Sequence, residues 1–380
     1  MFKKNQQHTQ PILVCCVNEL PEEEREYLYT SWAGVFYREF FCRLDESPFA
    51  VLYSNIPSRP NVPVNVLVGL EYLKAGNGWT DQEMYEAYLY NMQVRFALGY
   101  DEFGKGKFEL RTLYNFRARL SRYMQETGIN LLDQAFEQVT DQQIKAYEIK
   151  TGKQRMDSTQ IASNIRIMGR LQLLVEVLQR VHRMLTEKEQ EIYAEPFAPF
   201  TKGHAGQYVY HLKGQDTDEH LQRIGELMQR LLVELQPGYE QEPVYQVLER
   251  VFGEHFKVEE KVLKVKIDKE LSASSLQSPD DLEATYREKN KKHYKGYVAN
   301  LTETCDPENK LQLVTKVQVA ANNVDDAKMM AEALPNLKER TELDTLYTDG
   351  GYGSPDGDQA MQDNKVEQIQ TAIRGRAPST

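Results

Sequence analysis

"LDTLYTDGGYGSP" occupies Leu343 to Pro355. Its Leu-, Thr- and Tyr-rich start reads as a strand ending at Asp349, and Gly350 and Gly351 turn the chain at once. An Asp beside Gly caps turns well, and that reading suffices for an isolated Asp. A second reading makes Asp349 half of an acidic site, which then needs a carboxylate from a neighbouring strand. "KQRMDSTQI" (Lys153 to Ile161) is an earlier strand candidate that carries Asp157 at its middle. Set side by side, two such carboxylates repel unless a divalent cation lies between them. Oxygen-only ligands suit Mg²⁺ or Mn²⁺. A paired-ion site of that kind activates a hydroxyl nucleophile and stabilises a phosphodiester transition state.

The segments before Asp349 keep a period of two. "HYKGYVANLTET" and "LQLVTKVQV" are strand-like and flank the turn-forming "CDPENK". Leu311, Leu313, Val317 and Val319 alternate with Gln312, Lys316 and Gln318, which predicts a sheet with one face more buried. A helix is expected from Asn323, with Asp325 and Asp326 favoured in its first turn by the dipole and Pro335 as its end. Upstream, from Asn164 to Phe256, the strand pattern disappears. Leu171, Leu174, Leu178, Val181 and Leu185 form one apolar helical stripe; Leu221, Ile224, Met228, Leu231 and Leu235 form another. "VYQVLERVF" adds a shorter helix. His182 and His204 are isolated and read as non-ligands.

The N-terminal region is helical as well. "PVNVLVGLEYL" (Pro63 to Leu73) has Pro near a helix start, "GNGW" stops it, and "TDQE" reads as a capping box of Thr80 and Glu83. A later helix from Thr112 puts Leu113, Phe116 and Leu120 on one face and Arg119 and Arg122 toward the other. Such a helix can serve DNA phosphates and base edges; an arginine-rich solvent face is the competing account.

The chain has 380 residues and a formal net charge of -11, which argues against a general nucleic-acid coat. Two windows run the other way, Arg95–Arg122 and Arg287–Lys295, each with a net charge of +4. The four cysteines (Cys15, Cys16, Cys42, Cys305) show no CxxC spacing and suit a reducing compartment. No signal peptide or bilayer-length apolar run is apparent, which makes the cytoplasm the expected location.

Several stretches resemble DDE-type insertion-sequence transposases with an InsH-like N-terminal domain. They are "YNFRARL", "RMDSTQIASNI", "SLQSPDDLEATYREKNKKHYKGYVANLTETCDPEN", "ERTELDTLYTDGGYGSP" and "IQTAIRGRAPS". The resemblance implies an α+β chain. Residues 1–140 would be a helical DNA-binding domain and 150–163 the first strand of an RNase H-like domain. Residues 164–256 would be a helical insertion and 257–380 the rest of the catalytic domain. It further implies an Asp, Asp, Glu triad binding two Mg²⁺ or Mn²⁺ ions, with Asp157 and Asp349 as the first two acids. The enzyme would hydrolyse a DNA strand at the transposon end, and the freed 3′-hydroxyl would attack target DNA.

The third acid is expected beyond Thr380, on a late helix, so the chain reads as truncated and its activity as impaired. Glu367 lies too near Asp349 in sequence to substitute. Asp280 with Asp281, and Asp356 with Asp358, read as loop solvation and capping. Arg111, Arg117, Arg119, Arg122, Lys291, Lys292 and Lys295 are the expected DNA contacts, with double-stranded DNA as partner and a homodimer as the synaptic unit. A non-catalytic DNA-binding remnant and a purely structural helical protein are the alternatives.

Overall fold

Burial alternates along β1 (Lys153–Ala162): Gln154 and Met156 point into the protein, while Lys153, Arg155 and Asp157 point out. That alternation gives the sheet around β1 one buried and one open face. The computed structural model describes residues 2–5, 17–54, 60–100, 102–210, 212, 216–289 and 291–371. The Cys15–Cys16 pair and the end of "IQTAIRGRAPS" lie outside the described residues.

Helices α1 (Glu22–Thr30), α2 (Trp32–Phe36), α3 (Val64–Asn77), α4 (Asp81–Tyr90), α5 (Met92–Ala97), α6 (Leu110–Thr127) and α7 (Leu131–Ala146) precede β1. α3 starts behind Pro63 and is buried over most of its length. α4 begins with the capping box, in which Thr80 Oγ1 accepts from Glu83 N and Glu83 Oε2 accepts from Thr80 N. α6 buries Leu113 and Phe116 in a core shared with Phe41, Phe49, Leu67 and Tyr88.

After β1 come α8 (Arg170–Met184), α9 (Glu187–Ile192), α10 (Ala194–Phe197), α11 (Ala205–Tyr210), α12 (Thr217–Tyr239) and α13 (Pro243–His255). The two apolar stripes lie on α8 and α12, fully buried against each other and α13. The hairpin β2 (Phe256–Glu259) and β3 (Val262–Val265) pairs only with itself. Phe256 and Leu263 pack into the helical core, their side chains pressed close to Gly225 of α12. Strand periodicity after Lys257 therefore does not mark the return to the main sheet. The helical module keeps this hairpin because its apolar side faces α12.

The main sheet resumes with β4 (Thr285–Lys289), β5 (Lys292–Thr304) and β6 (Val314–Ala321). It is completed after α14 (Asp326–Arg340) by β7 (Thr345–Thr348), α15 (Pro355–Asp363) and β8 (Glu367–Gln370). The strand order is β4-β5-β1-β7-β8, with β6 also on β5, so the chain is α+β with a mixed sheet. β5 is long enough for β4 and β6 to share one of its edges end to end. Gly296 sits where that edge changes partner, with φ +143, and a β-carbon there would lie 2.3 Å from Ile161 O. Only glycine fits so close an approach.

α14 covers the inner face of the sheet. Met330, Leu334 and Leu337 pack with Met156, Leu346 and Tyr352. Pro335 does not end this helix, which runs on to Arg340. Burial of Leu334 and Leu337 outweighs the one backbone hydrogen bond that Pro removes. α7 ties the N-terminal helices to this unit. Glu137 Oε1 meets Lys316 Nζ at 2.5 Å, and Arg340 forks onto Asp141 at 2.7 and 3.1 Å.

Candidate functional site

β1 and β7 are parallel neighbours, with Lys153, Gln154 and Arg155 opposite Thr345, Leu346 and Tyr347. Carried two residues on, the same register sets Asp157 level with Asp349. Both are on the outer face, since Met156 and Thr348 are the buried neighbours. Strand spacing of about 4.8 Å is what joins two residues so distant in sequence. Both line one open groove of about 900 Å³, with Arg155, Leu301, Glu303 and Tyr347 among its walls.

Each carboxylate uses one oxygen locally. Asp157 Oδ1 accepts from Ser158 N at 2.8 Å, and Asp349 Oδ1 accepts from Gly351 N at 2.8 Å. Asp349 is thus also the turn cap that Asp-Gly-Gly favours. Among the described residues, neither Oδ2 accepts a hydrogen bond. The nearby cations are engaged elsewhere: Arg155 pairs with Glu303 at 2.5 Å and Lys153 approaches Asp306 at 3.9 Å. Two close carboxylates left without a protein cation suit a hard divalent ion. Among the described residues, no three His, Cys, Asp or Glu side chains converge enough to hold a metal by themselves.

Beneath the pair lies a buried polar floor that sequence reasoning did not identify. Tyr352, 1% exposed, donates its hydroxyl proton to Asn300 Oδ1 at 2.7 Å. Asn300 in turn donates to Gln318 Oε1 at 2.9 Å, and Gln318 donates to Met329 O at 2.9 Å. Burial holds the Tyr352 phenol well above its ordinary pKa, and the charges of Asp326, Asp157 and Asp349 add to the effect. The signal available in sequence was the Tyr directly after Asp-Gly-Gly; its partners are on other strands.

The other acids are elsewhere. Glu367 pairs with Thr345, four residues before Asp349 in register, or about 13 Å along the strand. Asp281 accepts from Ser163 and Tyr297, and Asp280 pairs with Arg180. Asp356 and Asp358 sit in the first turn of α15, behind the Ser354 cap.

The expected DNA contacts divide into two groups. Arg111, Arg119 and Arg122 are exposed on α6. Arg119 lies over the Tyr53 ring at 5.2 Å, beside a groove of about 850 Å³ that Lys107, Thr112 and Asn115 also line. Lys291 and Lys292 are exposed at the β4–β5 turn. Arg117 is different: it grips Glu71 at 2.6 Å and Asp81 at 2.6 and 2.8 Å. Its hydrogen bonds hold the Asp81 carboxyl well below the usual range. Lys295 is also committed, donating to Met168 O at 2.9 Å, and burial lowers its pKa. Arg117 and Lys295 thus hold the fold together, because each has satisfied its charge or donor within the chain.

These features define a class: an α+β protein whose mixed sheet carries one acid on β1 and another directly after the parallel neighbour β7, neither paired with a cation of the chain. Residues 269–375, little more than a quarter of the chain, match the family model of the transposase DDE domain. The matched segment contains Asp349 but not Asp157. Nuclease and transposition chemistry, typically with divalent metals, is what that family implies. No curated protein and no solved structure matches the chain. Among the described residues, no helix is long and apolar enough to cross a membrane.

Proposed function

We propose that this protein is a metal-dependent DNA transposase that cuts and joins strands at insertion-sequence ends, with Asp157 and Asp349 holding Mg²⁺ or Mn²⁺. The observation that carries the reading is the groove these two aspartates share, one on β1 and one directly after its parallel neighbour β7, whose register continued two residues would set them level. The order β6-β5-β1-β7-β8, with β5 antiparallel to β1 and β6, supports an RNase H-like arrangement. When bound, the ions activate the attacking oxygen and stabilise the departing one. In hydrolysis a water oxygen bonds to phosphorus, the P–O3′ bond breaks, and the 3′ oxygen leaves as a hydroxyl. The protein's share is to fix the two carboxylates on a rigid floor and to orient the DNA across the groove.

Arg111, Arg119 and Arg122 of an InsH-like helical unit, with Lys291 and Lys292, would meet the phosphates. The hairpin bearing the two lysines ends about 30 Å along β5 from the level of Asp157, a span that suits a duplex rather than a small ligand. Two copies in the cytoplasm would hold the two ends of the element. With two acids in line rather than three, ion binding and DNA binding should exceed turnover, and a remnant that binds ends without cutting them is the second reading. The test is cleavage of a labelled duplex carrying the element's end, with Mn²⁺, by the full chain and by Asp157→Asn and Asp349→Asn. Cleavage lost in both variants while duplex binding persists supports the enzyme. No cleavage by the unaltered chain, with duplex binding intact, selects the remnant. Failure to bind the duplex overturns both.

A further inference from the structure

Asp326 is the first residue of α14, and the helix dipole accounts for an acid there. It does not account for the burial. Asp326 is only 8% exposed, and its Oδ1 is buried with no hydrogen bond. The Arg287 guanidinium makes only a long ion pair with that oxygen, at 3.9 Å, and gives its hydrogen bond to Asn322 O at 3.1 Å. A carboxylate desolvated to that degree ordinarily has a donor or an ion against it.

The other oxygen faces the site. A β-carbon placed on Gly351 would lie 3.0 Å from Asp349 Oδ1 and 3.6 Å from Asp326 Oδ2. The two carboxylates therefore look into the same gap, no more than 6.6 Å apart, and glycine keeps that gap open. Two oxygens on one Mg²⁺ ion are at most about 4.2 Å apart. A water on the ion, with a hydrogen bond of about 2.7 Å to a second carboxylate, extends that reach to about 7 Å.

We propose that Asp326 is a third acidic group of the ion site, acting across Gly351 from Asp349 by holding a water of the hydrated divalent ion. The proposal rests on the reading of Asp157 and Asp349 as ion ligands. Mg²⁺ keeps several of its waters when one or two carboxylates bind it. A buried acid aimed at those waters strengthens binding without entering the first coordination sphere.

The test is Mn²⁺ titration of the full chain, following the free-ion electron paramagnetic resonance signal, with circular dichroism to verify folding. Asp326→Asn should weaken Mn²⁺ binding about 10-fold or more, the usual effect of removing an outer-sphere partner. Gly351→Ala keeps every carboxylate but puts a methyl in the gap, and it should weaken binding to a similar degree. Wild-type affinity in Asp326→Asn, with affinity lost in Asp157→Asn and Asp349→Asn, would overturn the inference and leave the functional reading standing. If Asp326→Asn does not fold, Gly351→Ala decides: unchanged affinity overturns the inference. Absence of Mn²⁺ binding by the unaltered chain would overturn both.

Discussion

Replacing Tyr352 with Phe removes one oxygen from beneath the two aspartates and leaves the packing of the ring intact. The hydroxyl lies 2.7 Å from Asn300 Oδ1, and both residues are 1% exposed. Without it, a buried amide oxygen loses its donor where water cannot substitute, a loss of about 1–3 kcal/mol. At roughly 2–4 °C per kcal/mol for a unit of about 150–250 residues, a loss of about 2 kcal/mol lowers the melting temperature by about 4–8 °C. Burial keeps the phenol neutral far above neutral pH, so the effect should be the same at any pH from about 5 to 9. Thermal unfolding followed by near-ultraviolet circular dichroism gives the shift. A double-mutant cycle with Asn300→Leu isolates the pair, since removing both partners should cost less than the two single changes added. A Tyr352→Phe melting point equal to wild type, or strict additivity in the cycle, refutes the view that this bond supports the site.

Changing Arg111, Arg119 and Arg122 together to Ala should reduce the slope of log affinity against log salt by about 2.7 in a duplex-binding titration, if each meets one phosphate. Arg117→Met should instead lower stability, because it strands Glu71 and leaves Asp81 to Lys74 alone, and should leave that slope unchanged. Glu137→Ala removes the acceptor shared by Lys316, Arg340 and Asn336, and should cost about 2–3 kcal/mol in denaturant unfolding. His255 is buried with both ring nitrogens unpartnered, and burial, with Arg170 and Lys266 nearby, pushes its pKa down to about 4. Its folded pKa lies below the ordinary 6.5, so the unfolded chain takes up the proton first. Stability is then full above about pH 6.5 and falls by about 3 kcal/mol as pH drops toward 4. His255→Leu should flatten that part of the unfolding curve.

Much of this architecture was legible because local patterns report which face of an element is dry. The stripes on α8 and α12 are buried in full, and the Thr80–Glu83 box opens α4. β1, β5, β6 and β7 form where the period is two. Asp157 and Asp349 were marked as candidates by the motifs around them, Asp349 also by its place at a strand end. Periodicity does not say which strand meets which, however. The apolar β2–β3 hairpin packs on α12 instead of joining the main sheet, and α14 passes through Pro335 because its following turn is buried.

By itself the sequence determined the elements, their apolar faces, the two basic windows and the acids worth watching, since each is a property of a few neighbouring residues. The tertiary structure alone decided the pairing of β1 with β7 and the polar floor running from Tyr352 through Asn300 to Gln318. It also decided the commitment of Arg117 to Glu71 and Asp81 and the position of Asp326 across Gly351. The physical reason is burial. Met156, Leu346 and Leu337 leave water together only when strands far apart in sequence share one core, and the residues on the opposite face of those strands are brought together as a consequence.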